Sequence, residues 1–203
     1  MMNEGETATR LGLQGIPSLS EVKMIERDAS LVDISGGRLH HFQISTEESL
    51  EAIQRNRSSE RKMSCGTSPQ YFLLNELAVT DYRTFAKMSP PLRSEMDRAA
   101  MIAGLKAGLI DVICSGHDPH DQESKRLPFG EAAFGMVGYQ TLLPLSLMLY
   151  HAHDLPLIDV LAMLTHHPAK LLGLPGGRLA PGAPADLVLF DLDKPWRIDP
   201  NDF

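Results

Sequence analysis

Cysteine is scarce in this chain: Cys65 and Cys114 are the only two in 203 residues. Each stands at the end of an apolar run of strand character, where two buried free thiols are expected rather than a cross-link. That usage fits the cytoplasm. Long hydrophobic runs are missing as well, since no uninterrupted stretch approaches the ~18 residues of a membrane helix. The opening MMNEGETATR has neither a basic start nor an apolar h-region, so neither an export signal nor a span is expected. Nor is there an excess of positive charge: 19 Lys and Arg face 26 Asp and Glu, a formal net charge of −7. Basic residues are scattered apart from RNRSSERK at 55–62, which gives no electrostatic footprint for nucleic acid. Internal repeats and low-complexity stretches are absent too.

What is present is the composition of a soluble globular chain, 43% hydrophobic and 22% charged, enough for a sizeable core in one domain or one and a fragment. Apolar runs of strand character alternate with segments of helical period, the pattern of β/α units around a parallel sheet. Strands are expected at RLHHFQIS (38–45), KMSCGTS (62–68) and IDVICS (110–115). Behind the first, Thr46 is placed to cap a helix over EESLEAIQRN whose first turn carries Glu47 and Glu48. Behind the second comes PQYFLLNEL. A further helix over SEMDRAAMIAGLKAGL should bury Ala100, Ile102, Ala103 and Leu105 and stop at Gly108. The chain then reads as helical through EAAFGMVGYQTLLPLSLMLYHAH and PLIDVLAMLTHHPAKLLGL, with Pro144, Pro156 and Pro168 marking helix starts or kinks. In the tail, ADLVLFDL alternates like a strand and WRI adds a second extended piece, an edge of a separate small β domain.

Chemistry concentrates in CSGHDPHDQESKRLPF (114–129), directly after the third strand. This stretch resembles a metal-binding strand end. Together with GLQGIPSLSE, HHFQISTEES, SPPLRSEMDRAAMIAGLKAGLIDVI, GMVGYQTLLPL and HHPAKLLGLPGGRLAPGAPADLVLFD, it is similar, in order and over nearly the whole chain, to segments of bacterial dihydroorotases of the cyclic amidohydrolase superfamily. The resemblance implies an α/β fold, the last three β/α units of a TIM-like (β/α)₈ barrel over residues 1–175, with part of a small β domain over 176–203. It implies the reversible cyclisation of N-carbamoyl-L-aspartate to L-dihydroorotate in pyrimidine synthesis. In that reaction zinc activates water and an aspartate shuttles the proton.

Carried over residue by residue, the resemblance leaves the site deficient. The chain opens at what looks like the loop after the fifth barrel strand, so the segments that hold the family's H-x-H and bridging ligands have no counterpart here. Where the family has a metal-binding histidine before the sixth-strand IST, this chain has Gln43, and an amide is a poor zinc ligand beside imidazole. His41 lies ~6–7 Å further down the strand at about 3.3 Å per residue; it reads as a hydrogen-bonded histidine, with His40 pointing oppositely. The family's T-D-H-A-P-H is Ser115, Gly116, His117, Asp118, Pro119, His120. Gly116 thus replaces the proton-carrying aspartate, a group worth about 10²–10⁴ in rate. Asp118, two residues further and before a proline, is no stand-in. Ser89 replaces an asparagine before PPLR, while His120 and Gly135 match substrate-contacting positions. No catalytic and no metal-binding residue is therefore assigned, and no cofactor is expected for this chain although active relatives use zinc.

The remaining histidines have plainer readings: HDPHD as a solvated βα loop rather than an independent metal site, HAH (151–153) as a helix C-terminus, and THHPAK (165–170) as a helix junction. A nucleophilic role for either cysteine would need a base or positive neighbour. Three parallel strands cannot close a barrel, so open edges and a truncation at both ends, with an internal Met start, are expected. Partner expectations are aspartate carbamoyltransferase, scaffolded by a zinc-free homologue, or self-association, with a small-molecule substrate only if the chain is active; neither nucleic acid nor a membrane is a partner.

Overall fold

In the computed structural model, which describes residues 1–58 and 62–199, the chain opens with a unit that sequence pattern does not announce. Strands β1 (Met2–Asn3) and β2 (Gly15–Ile16) pair in parallel, Met2 with Gly15 and Asn3 with Ile16, around helix α1 (Glu6–Leu11). Two-residue strands carry no readable period, which is why the segment reads as loop. Helix α2 (Ser18–Ser35) follows and buries Val22, Ile25, Ala29 and Val32, one face at helical spacing, before Gly36 ends it in the left-handed region.

The three anticipated strands form one parallel sheet in sequence order: β3 (Arg38–His41), β4 (Lys62–Thr67) and β5 (Val112–Ile113). All are shorter than the apolar runs suggest. Past His41 side chains and single bonds replace the ladder, with Ile44 N donating to Gly66 O and Thr67 Oγ1 to Ile44 O. Around β5 the pairing continues through Asp111 N to Cys65 O and Cys114 N to Thr67 O. Helix α3 (Glu47–Asn56) starts where Thr46 accepts from Ser49 N, as expected of an N-cap.

Behind β4 the helix is only one turn, α4 (Pro69–Leu73), because Leu74 turns extended; two 3₁₀ turns (Glu76–Tyr82 and Thr84–Ala86) carry the chain onward. Helix α5 (Glu95–Lys106) begins with a full capping box between Ser94 and Asp97. Its buried face is Met101, Ile102, Gly104 and Leu105; the expected Ala103 is exposed and Ala100 half-buried, because the helix is rotated so that Gly104 packs on Leu50. Helical expectation also overreaches at 131–141, which is irregular: the short α6 (Gln122–Lys125) precedes it and α7 (Leu142–His153) starts after it. Helices α8 (Leu157–Leu164) and α9 (His166–Leu172) complete the set, and Pro144, Pro156 and Pro168 all lie at helix starts.

The core between sheet and helices is built on Ile44, Ile53, Phe72, Met101, Ile110 and Leu149, and a smaller cluster of Met2, Ala8, Val79 and Phe129 seats the N-terminal unit. The tail corrects another expectation: among the described residues 176–199 contain no strand. Leu187, Val188 and Leu189 are 70%, 79% and 101% exposed; the alternating pattern is there, but no neighbouring strand offers it a ladder. Of the basic run, Arg55 pairs with Glu26 and Glu51 and Arg57 with Asp111, while residues 59–61, like 200–203, lie outside the described residues. None of the described helices is long and apolar enough to cross a membrane.

Candidate functional site at the strand ends

A cleft of about 370 Å³ opens where β3 and β5 end. Its walls are Phe42 and Gln43 beyond β3, Ser115 to Asp118 beyond β5, Met88 and Ser89 from the loop before α5, and Gly135 and Tyr139 from the irregular segment before α7. Of the positions that sequence reasoning singles out, Gln43, Ser89, Gly116 and Gly135 line the cleft and His120 does not.

Gly116 is held at φ +59°, and a Cβ on it would stand 2.9 Å from both Gln70 Oε1 and Ser68 Oγ and 3.1 Å from Gln43 Nε2. Gln70 Nε2 donates to Ser115 O at 3.1 Å, which fixes the amide and leaves its Oε1 buried without a partner among the described residues, as Ser68 Oγ also is. The recess beside Gly116 is thus walled by amide and hydroxyl groups. Asp118 does not replace the missing carboxylate there: its Oδ1 lies 3.5 Å from His120 Nε2, and its N–H donates to Met136 O. His120 and Gly135 are brought together at the rim, where a Cβ on Gly135 would meet His120 Cδ2 at 2.8 Å.

Two contributors escape sequence reasoning. His117 Nδ1 accepts from Gly138 N at 3.0 Å, and the ring stacks on Tyr139 with centroids 3.8 Å apart and planes 11° from parallel. With Nδ1 engaged as acceptor, the neutral ring carries its proton on Nε2, available as a donor. Ser68, the N-cap of α4, and Gln70 in its first turn follow β4; only the folded register brings them to Gly116.

The other histidines lie elsewhere. His40 bonds Ser64 Oγ at 2.8 Å, and burial pushes its pKa down. His41 faces the other side, toward α2, and its buried Nε2 has no partner among the described residues, which corrects the expectation of a hydrogen bond. Burial lowers its pKa also, against the opposing pull of Asp28 and Glu21. It lines a separate cavity of about 270 Å³ that it shares with Glu21 and Arg93. His167 Nδ1 meets Asp111 O at 2.8 Å, and Tyr150 touches His151 edge-on. Both thiols are free; burial pushes Cys65 up to about 12 and raises Cys114.

The family's zinc does not fit these residues. At its positions stand an amide and a glycine, and among the described residues no three His, Cys, Asp or Glu side chains converge to hold a metal ion.

Comparison with known proteins identifies the family. The sequence profile of the amidohydrolase family matches residues 21–203. A dihydroorotase of Anaplasma phagocytophilum (strain HZ) is 46% identical over 203 residues, covering 100% of this chain and 45% of that protein. One from Desulforapulum autotrophicum is 43% identical over 202 residues, 100% of this chain and 47% of its own. Among solved structures, the L-hydantoinase (dihydropyrimidinase) from Arthrobacter aurescens superposes with a TM-score of 0.86 at 29% identity, over 92% of this chain and 43% of that one. Dihydropyrimidinase from Brevibacillus agri NCHU1002 shares the fold, with a TM-score of 0.76 at 22% identity over 83% of this chain and 39% of that one. The chain spans about half the length of the curated relatives it matches, and it belongs to the amidohydrolase family.

Proposed function

We propose that this chain corresponds to the last three β/α units of a dihydroorotase-type cyclic amidohydrolase, the class that interconverts N-carbamoyl-L-aspartate and L-dihydroorotate in pyrimidine synthesis, and that by itself it does not perform the zinc-dependent reaction. Identity to dihydroorotases supports the class. One observation carries the second half: the recess at Gly116 holds no carboxylate and is walled by the side chains of Gln70, Ser68 and Gln43. Ring closure joins the ureido nitrogen to a carboxyl carbon and expels water, so a proton must leave the nitrogen and reach the departing oxygen. Gln43 and Gly116 supply no group that exchanges protons near neutral pH. The cleft can still bind: Ser89, His117 and Tyr139 line it.

A second reading is a non-catalytic subunit that scaffolds aspartate carbamoyltransferase in the cytoplasm. It is favoured because the changes at Gln43, Ser89 and Gly116 fall within the cleft itself. Purified chain supplied with zinc should show no carbamoyl-aspartate cyclisation above background, and turnover would overturn the proposal. Stoichiometric copurification of aspartate carbamoyltransferase would select the scaffold reading.

A further inference from the structure

Lys87 and Lys125 are 2% and 3% exposed, an uncommon state for lysine, which is seldom fully buried without an acidic partner. Here every hydrogen bond that the two ammonium groups make among the described residues goes to a main-chain carbonyl. Lys87 Nζ donates to Phe129 O at 2.7 Å, Ala132 O at 2.6 Å and Gly130 O at 3.3 Å, and lies 4.4 Å and 5.3 Å from the ring centroids of Phe134 and Phe129. Lys125 Nζ donates to Gly135 O at 2.8 Å, Ala133 O at 2.9 Å and Lys87 O at 3.4 Å. Carbonyl dipoles and ring faces replace lost hydration, and burial lowers both pKa values.

The segment so gripped is the one that shapes the cleft rim. Gly135 is held at both main-chain groups, its O by Lys125 and its N–H by Lys87 O at 2.9 Å. Its Cα is packed so closely on the opposite loop that a Cβ would stand 2.9 Å from Asp118 Cγ. One residue on, Met136 O accepts from Asp118 N at 2.8 Å, and Met136 pairs with His117. A line of direct contacts therefore runs from the two ammonium groups through 129–136 to His117, Asp118 and His120.

We propose that Lys87 and Lys125 are positioning residues, whose carbonyl-caged ammonium groups hold 129–136 as the template that sets the His117–His120 rim of the cleft. The functional sense of this rests on that cleft being the site; the physical claim does not depend on turnover. Five carbonyls of a segment with no ladder of its own, and that of Lys87, converge on the two ammonium groups, so the charge and its N–H donors, rather than the aliphatic stems, do the holding.

Amide hydrogen exchange on the full chain carrying Lys125→Ala tests this. The amides of Asp118 and Gly135 should exchange at least tenfold faster, with those of Ile44 and Cys114 in the sheet unchanged. Propylammonium, which restores the missing stem and its N–H donors, should return protection; tetramethylammonium, which has no N–H, should not. Unaltered exchange, uniform acceleration at all four amides, or equal rescue by both cations would each overturn the proposal. Should Lys125→Ala fail to fold, Lys125→Met keeps the stem without the donors, and native exchange at Asp118 and Gly135 in that variant would equally overturn it. Because these amides report the clamp in an inactive protein too, the result is separable from the assay for cyclisation.

Discussion

Restoring the aspartate at position 116 would not restore a family site in this chain. The backbone is at φ +59° and the new Cβ would press on Ser68 Oγ and Gln70 Oε1. A side chain in the left-handed region costs up to ~1–2 kcal/mol, less for aspartate, and Asp81 and Asp154 adopt that region here; the crowding adds to it. Gly116→Asp is therefore expected to lower stability in urea denaturation by about 1–2 kcal/mol without gaining zinc; a variant of native stability that retains the metal would contradict this. Titration adds a second test. Burial lowers the pKa of both His40 and His41, so as pH falls below about 6.5 the unfolded chain takes up protons that the folded chain resists. Their contribution is intact above that pH and is lost below it. The urea midpoint should drop between about pH 7 and pH 5, and His41→Phe should flatten the drop. Cys65, pushed up to about 12 by burial, should resist thiol reagents until the chain unfolds. Residue chemistry was legible at Gln43 and Gly116, where a motif fixes the position. His117 with Tyr139, and Ser68 with Gln70, were hidden because only tertiary register makes them neighbours.

Among elements, the buried side chain of Arg93 ties the N-terminal unit to the segment that follows β3. Arg93 donates to Ile16 O at 2.7 Å, Asn3 Oδ1 at 3.1 Å and Ser45 Oγ at 3.1 Å, and lies 3.6 Å from Glu21. Glu21 in turn accepts from Ser45 N at 2.8 Å. Breaking such a buried pair from one side costs roughly 3–5 kcal/mol, so Arg93→Ala should lose that much in chemical denaturation, a large share of a total of about 5–15 kcal/mol. Ser94→Ala, which removes half of the capping box of α5, should cost about 0.5–2 kcal/mol. Elements that carry a capping signal or an apolar strand run were legible: α3, α5 and the strands β3 to β5; α2, although eighteen residues long, was not read. The β1–α1–β2 unit was not, since its strands are too short to alternate. In ADLVLFDL the alternation is real, but a strand also needs a neighbour, which local sequence does not specify.

For the whole molecule, β3 and β5 are the outer strands of the three-stranded sheet, and Leu187, Val188 and Leu189 project from the tail. Open sheet edges and contiguous apolar exposure favour association. Sedimentation velocity should show concentration-dependent assembly, weakened by Val188→Lys with Leu189→Lys; a monomer at all concentrations would count against it. The central claim is chemical: Gln43 and Gly116 do not complete a zinc site. Its most direct test is the zinc content of the purified chain after incubation with zinc and removal of excess metal. The account predicts far less than one ion per chain, and one firmly held zinc, lost on substituting Gln43, would contradict it.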